Sequence, residues 1–208
     1  MSNNEVVSYD PTKAESTIRS FVKSADVPGL QELMEFAFAN DFLKAPASKK
    51  YHCNNEGGLA EHSLNVLQSL GKLIEPFHLN RKSVIICGLF HDIHKCTDGF
   101  GNPQYVPETR DWHRKNVAPY AWNTMQVPIQ SEIKSAMMIS RFIHLRADEM
   151  QAILYHHGGF STIKDDISSE TYALTIALHF ADMYSAFVTE RKADVSEASV
   201  FLGGTRTA

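Results

Sequence analysis

Residues 83–95, SVIICGLFHDIHK, constrain the chain more than any other stretch. From Val84 to Phe90 the segment is apolar on nearly every side, which predicts a central buried helix. It ends on adjacent His91 and Asp92. A carboxylate in such a setting is costly unless something positive answers it. The fold must therefore both bury this segment and bring a positive partner to its charged end.

The remaining text reads as further helices. Asp10 followed by Pro11 is a helix start, predicting a helix to about Lys23. A second covers VPGLQELMEFAFAN, with Leu30, Met34, Phe36 and Phe38 on its apolar side. APASKKYHCNNEGG is a loop ending in Gly57 and Gly58. From Leu59 to about Glu75 the spacing is helical, with Leu59, Val66, Leu70 and Leu73 in one stripe and His62 inside it. Pro76 limits that helix, and Asn80 caps the central one. Residues 97–128 lose the period and form an irregular or hairpin insert, either a functional lid or a surface loop. Helical spacing resumes over SEIKSAMMISRFI and ADEMQAILYHHGG, where Gly158 and Gly159 mark a stop. A long final helix, SSETYALTIALHFADMYSAFVTERK, carries Asp182 within its apolar face. The expected architecture is one all-α domain over residues 11–200, with a flexible N-terminus at 1–10 and a mobile tail at 201–208.

Composition narrows the classes. The 208 residues are enough for one well-buried core. A net charge of −4 gives no general electrostatic reason to coat a long nucleic acid, and no apolar run approaches the ~20 residues that span a bilayer. Cys53, Cys87 and Cys96 form no CxxC pair and no even framework, and the N-terminus is polar and acidic. A cytoplasmic protein is expected.

Three separate helices thus place His62, His91 with Asp92, and Asp182 where Leu or Val would ordinarily sit. One such histidine is an ordinary hydrogen-bonded core residue. Two buried imidazoles with two buried carboxylates satisfy one another best around a divalent cation. Mixed nitrogen and oxygen donors suit Mn, Fe, Co, Ni or Zn better than Ca without deciding among them; Mn is the first expectation, and Mg stands as a further alternative.

In order and in flanking text, these residues resemble the metal signature of the HD-domain phosphohydrolase superfamily. GGLAEHSLNV is similar to the family's GGLxEHS helix, GLFHDIHK to its LxHDxxK helix, LHFADMYSA to its LHxAD helix, and YHHGGF to a WHxGGF or HHG element. The resemblance spans residues 42–190. It is closest to small stand-alone bacterial and phage HD proteins and to the HD domain of a bacterial 3′-to-5′ exoribonuclease, whose OB-fold has no room here. It implies His62, His91, Asp92 and Asp182 as metal ligands. His156 takes the place of a histidine that binds phosphate, protonates a leaving oxygen or helps hold a second metal. Lys95 reads either as a phosphate-neutralising cation or as a solvated helix end stabilised by the dipole.

His157, His179 and Trp112 are further candidates for substrate contact. His94 is a weaker candidate, and the insert's His113, Tyr120 and Trp122 could stack on a base or simply pack. The chain departs from the pattern twice. Lys95 stands where several HD nucleotidases carry a water-activating Glu, and PIQSEIKS puts Ser131 in place of a histidine, which favours a single metal.

The expected function is hydrolysis of a nucleotide phosphate ester or anhydride by metal-activated water, with Asp92, His156 and Lys95 catalytic. The alternatives are a phosphodiesterase or exonuclease acting on cyclic nucleotides or short oligonucleotides, and a non-catalytic nucleotide-binding module. A homodimer is a further expectation.

Overall fold

A computed structural model describes residues 9–158 and 170–190. Among them the architecture is all-α with one small hairpin. Helix α1 (Pro11–Ala25) starts on Asp10, whose carboxylate accepts from the Thr12 and Lys13 amides, with Pro11 in the first helical turn. Tyr9 is tied down through its hydroxyl, which donates to the Leu43 carbonyl at 3.0 Å. Helix α2 (Leu30–Ala39) follows, packing Leu30, Leu33, Met34 and Ala37 inward.

Helix α3 (Gly58–Gly71) is shorter than its periodicity predicts. The expected continuation to Glu75 breaks at Lys72, and a separate short turn α4 (Ile74–Phe77) contains Pro76. Proline cannot supply the N–H of a continuing helix and its ring clashes with the carbonyl four residues back, so the break falls ahead of it. At the other end, Gly57 holds φ +81°, the left-handed conformation that lets the loop turn into α3.

Helix α5 (Arg81–Phe90) is capped by Asn80, which accepts from the Lys82 and Ser83 amides. It packs on α3 so closely that a Cβ at Gly88 would stand 3.0 Å from Leu67 Cα. The expected single helix to Lys95 is corrected here. It ends at Phe90, and a 3-10 turn (Ile93–Lys95) takes over, with the Lys95 amide bonded to the Asp92 carbonyl at 3.0 Å. In a 3-10 turn residues three apart eclipse, which lays Lys95 over Asp92.

The insert is a hairpin with a helical tip. β1 (Tyr105–Pro107) pairs antiparallel with β2 (Tyr120–Trp122), Tyr105 opposite Trp122, and α6 (Asp111–Asn116) lies between them. Asp98 gathers its ends: the carboxylate accepts from the amides of Phe100, Asn102 and Val127 and from the Asn102 side chain. Strand-side residues also grip the 3-10 turn, the Gln104 amide bonding to the Lys95 carbonyl at 3.0 Å.

Helices α7 (Ser131–Ser140), α8 (Ala147–Tyr155) and α9 (Ala173–Tyr184) complete the bundle, and α9 runs on into a π-helical turn (Ser185–Thr189). A buried hydrogen bond from Ser83 to Glu149 at 2.7 Å links α5 to α8. The core is built from Leu59, Val66 and Leu70 of α3, Ile86, Leu89 and Phe90 of α5, and Leu174, Ala177 and Leu178 of α9. Among the described residues no helix is long and apolar enough to cross a membrane. The expectations for Gly159, for the start of the last helix at 168–169 and for the tail at 201–208 lie outside the described residues, as do residues 1–8 of the N-terminus.

Candidate metal centre

α3, the end of α5 and α9 each present a polar side chain to one buried point. His62 Nε2 lies 3.1 Å from Asp182 Oδ1 and 3.6 Å from Asp92 Oδ2. His91 Nε2 is 3.5 Å from Asp92 Oδ2, and His156 Nε2 is 3.5 Å from Asp92 Oδ1. His62, His91 and His156 are fully buried and Asp92 is 1% exposed, whereas the Asp182 side chain keeps 16% of its surface. Asp182 is thus the member of the group that reaches toward solvent.

The hydrogen bonds behind these rings decide what their inner faces can do. His91 Nδ1 donates to the Cys87 and Gly88 carbonyls, His156 Nδ1 to the Ile153 carbonyl at 2.7 Å, and His62 Nδ1 to the Glu190 carboxylate at 3.0 Å. An imidazole whose Nδ1 proton is held this way turns the lone pair of Nε2 outward, the arrangement a metal-ligating histidine needs. All three Nε2 atoms and Asp92 Oδ1 are buried without an aligned hydrogen-bond partner. Orphaned buried donors and acceptors are costly, and four of them converging with a second carboxylate fit a divalent cation. Two overlapping donor sets meet here, His62, His91 and Asp92 in one and His91, His156 and Asp182 in the other. A third set, Asp92, His156 and His157, shares Asp92 with the first.

Electrostatics agree with that geometry. Burial alone would depress the His62 imidazole, but Asp182 and Glu190 outweigh it and hold it up to about 10. A proton on His62 is therefore what balances the carboxylates when nothing else does. Burial would raise Asp92, yet Lys95 and His91 keep it well below the usual carboxylate range. Burial pushes the His156 and His94 imidazoles down, leaving both neutral.

Lys95 is buried, with Nζ 2.6 Å from Asp92 Oδ2. Of the two sequence readings, the solvated helix end is thereby excluded. His94 points to α7, where Ser135 Oγ lies 2.9 Å from its Nδ1. His157 is paired with Glu132 of α7 at 2.7 Å. Its imidazole is raised despite burial because of that carboxylate, and burial notwithstanding, His157 lowers Glu132 to about 2. His179, half-buried, donates from Nδ1 to the His156 carbonyl at 2.7 Å and so braces the backbone of α8's end. Trp112 stands 69% exposed on α6 beside His113, and no hydrogen bond or ring contact joins it to the histidine cluster among the described residues.

Three residues near the site carry no sequence signal of their own. Glu190 is a charge in what reads as a polar helix end, and Glu132 is one acid among several. His52 lies in the loop before α3, its ring 4.9 Å from that of His62. Burial depresses its imidazole to about 4.

The chain belongs to the HD-domain family. A family model described as HD domain matches residues 59–182, more than half of the sequence, and that span runs from the start of α3 to Asp182. With its fold and donor set, the protein has the metal-binding architecture of the HD-domain metal-dependent phosphohydrolase superfamily. No curated protein and no solved structure matches the chain.

Proposed function

We propose that this protein is a metal-dependent phosphohydrolase that cleaves a phosphate ester or anhydride of a nucleotide. The observation that carries the proposal is the convergence of three Nε2 lone pairs and two carboxylates, each imidazole already fixed from behind. His62, His91, Asp92 and Asp182 are the proposed ligands, and Mn2+ is the proposed ion. A divalent cation in such a site supplies Lewis-acid polarisation of a phosphoryl oxygen and lowers the pKa of coordinated water.

The remaining roles belong to the chain. Asp92, acceptor-only while ionised, takes the proton of the attacking water. Lys95, with three donors and a neutralising partner it can share, stabilises charge gathering on the phosphate. His156 and His157 line the same point and face the departing oxygen. His157 keeps a proton to give because Glu132 holds it. His179 steadies the His156 backbone, and Trp112 offers an exposed ring on which a base can stack.

A mononucleotide or nucleoside triphosphate is preferred over a long nucleic acid because the chain carries a net charge of −4. A cytoplasmic setting accords with three free cysteines, all buried. Pairing of two copies has an apolar surface to use: Tyr172, Phe180, Met183 and Tyr184 lie exposed along α9.

Elemental analysis of the purified protein, followed by a phosphate-release screen over nucleotides with and without Mn2+, tests the reading. Bound metal with metal-dependent release from mono- or triphosphates is expected. Product from diesters alone would transfer the assignment to a phosphodiesterase. Retention of nucleotide without turnover would make the protein a binding module, and failure to take up any cation would remove the assignment altogether.

A further inference from the structure

His62 is gripped on both ring nitrogens by carboxylates of one helical run. Asp182 of α9 faces Nε2, while Glu190, just past the π-helical turn, faces Nδ1 with its two oxygens at 3.0 and 3.1 Å. The Glu190 side chain is 1% exposed, and a second donor, Asn65 Nδ2 one turn along α3, holds its Oε1 at 3.1 Å. A buried carboxylate with two directed donors is a placed group rather than a surface charge that folded inward.

The backbone shows what places it. Eight residues along an α-helix amount to about 2.2 turns, so position 190 would lie roughly 80° around from Asp182. The π-helical turn removes that offset. Over Ser185–Thr189 the winding loosens, and the Glu190 amide bonds to the Ser185 carbonyl five residues back at 2.9 Å. Such turns are rare within helices and gather at functional sites. Here the looser turn lets one helix present carboxylates to both nitrogens of a single imidazole.

We propose that Glu190 is a positioning residue of the metal centre: it holds the His62 proton on Nδ1 and aims Nε2 at the cation, with Asn65 fixing Glu190 in turn. The inference rests on the reading of His62 as a metal ligand. Outer carboxylates on metal-ligating histidines raise ligand basicity and fix ring orientation, and their loss typically costs about 10–100-fold in metal affinity.

Calorimetric titration of Mn2+ into metal-free protein tests this without reference to turnover. Wild type, Glu190→Gln, Glu190→Ala, Asn65→Ala and His62→Ala are compared, with unfolding midpoints of the metal-free forms measured alongside. Glu190→Ala is expected to bind Mn2+ about 10–100-fold more weakly, with Glu190→Gln and Asn65→Ala between it and wild type. Glu190→Gln conserves volume and keeps the test available should the alanine variant not fold. NMR of the His62 ring protons and nitrogens supplies a readout that a merely structural tie between α9 and α3 would not move, since the Nδ1 proton, bonded to a carboxylate in wild type, should shift upfield in Glu190→Gln. Binding by both Glu190 variants within twofold of wild type, with the Nδ1 proton signal unchanged, overturns the proposal while leaving the metal site standing. No Mn2+ uptake by wild type overturns the metal-site reading and this inference with it.

Discussion

Lys95 sets its ammonium 2.6 Å from the Asp92 carboxylate, and both side chains are almost sealed from solvent. Breaking a buried pair by removing one partner strands the other charge, at a cost of about 3–5 kcal/mol. A bound cation replaces the lost partner. Lys95→Met should therefore destabilise the metal-free protein by that order and the Mn2+-loaded protein by much less. Urea unfolding of both forms checks it; equal losses with and without Mn2+ would mean that Asp92 does not face the cation.

The pH dependence of the metal-free protein follows from two kinds of histidine. His62 is raised by Asp182 and Glu190 to about 10. Its contribution is full below the unfolded value of about 6.5 and is lost as pH rises through about 10. His52 is depressed by burial to about 4, so the unfolded chain binds a proton that the native state refuses, and stability falls as pH drops from about 6.5 toward 4. Denaturation midpoints across pH 4–10 should pass through a maximum near neutrality, and the alkaline decline should vanish in His62→Ala.

Glu132 raises His157 by direct pairing at 2.7 Å. If His157 gives a proton to the leaving oxygen, activity declines above its pKa. Glu132→Gln should then move the alkaline limb of kcat/KM to lower pH, while His157→Ala should reduce the plateau by about 100-fold or more, the scale of general acid catalysis. A uniform fall in rate with the limb unmoved would leave Glu132 a packing residue.

Gly88 is where α3 and α5 touch. A methyl group there would meet Leu67 Cα at 3.0 Å and its side chain at 3.1 Å. Gly88→Ala should cost about 1–3 kcal/mol through overpacking. Because His62 and His91 ride on these two helices, it should also weaken Mn2+ binding, in contrast to the usual stabilisation that alanine brings to a helix interior. Thermal unfolding and metal titration together measure both effects.

Much of the site was legible because its residues violate their surroundings. His62, Asp92 and Asp182 interrupt apolar stripes, and a period of 3.6 makes such interruptions visible. The end of α5 was not: nothing in the apolar pattern announces that the helix tightens after Phe90, although the three-residue spacing already brings Lys95 to the side of Asp92. Glu190 was hidden for the opposite reason. Periodicity assumes constant winding, and the π-helical turn loosens it just where the second carboxylate is needed. Glu132 was unreadable because its importance comes from a partner 25 residues away. The insert was expected as an irregular or hairpin excursion, and its loss of period marked its extent but not the carboxylate that gathers its ends.

That gathering at Asp98 bears on how relatives of this protein can diverge. A chain excursion that departs and rejoins at one anchor changes length at small entropic cost, since closure grows only logarithmically with the number of residues enclosed. Residues of the hairpin tip between Pro107 and Tyr120 can therefore be lengthened, trimmed or recast with little demand on the turn bearing His91 and Asp92, which Gln104 holds from the strand side. What the centre admits can drift while the chemistry stays put.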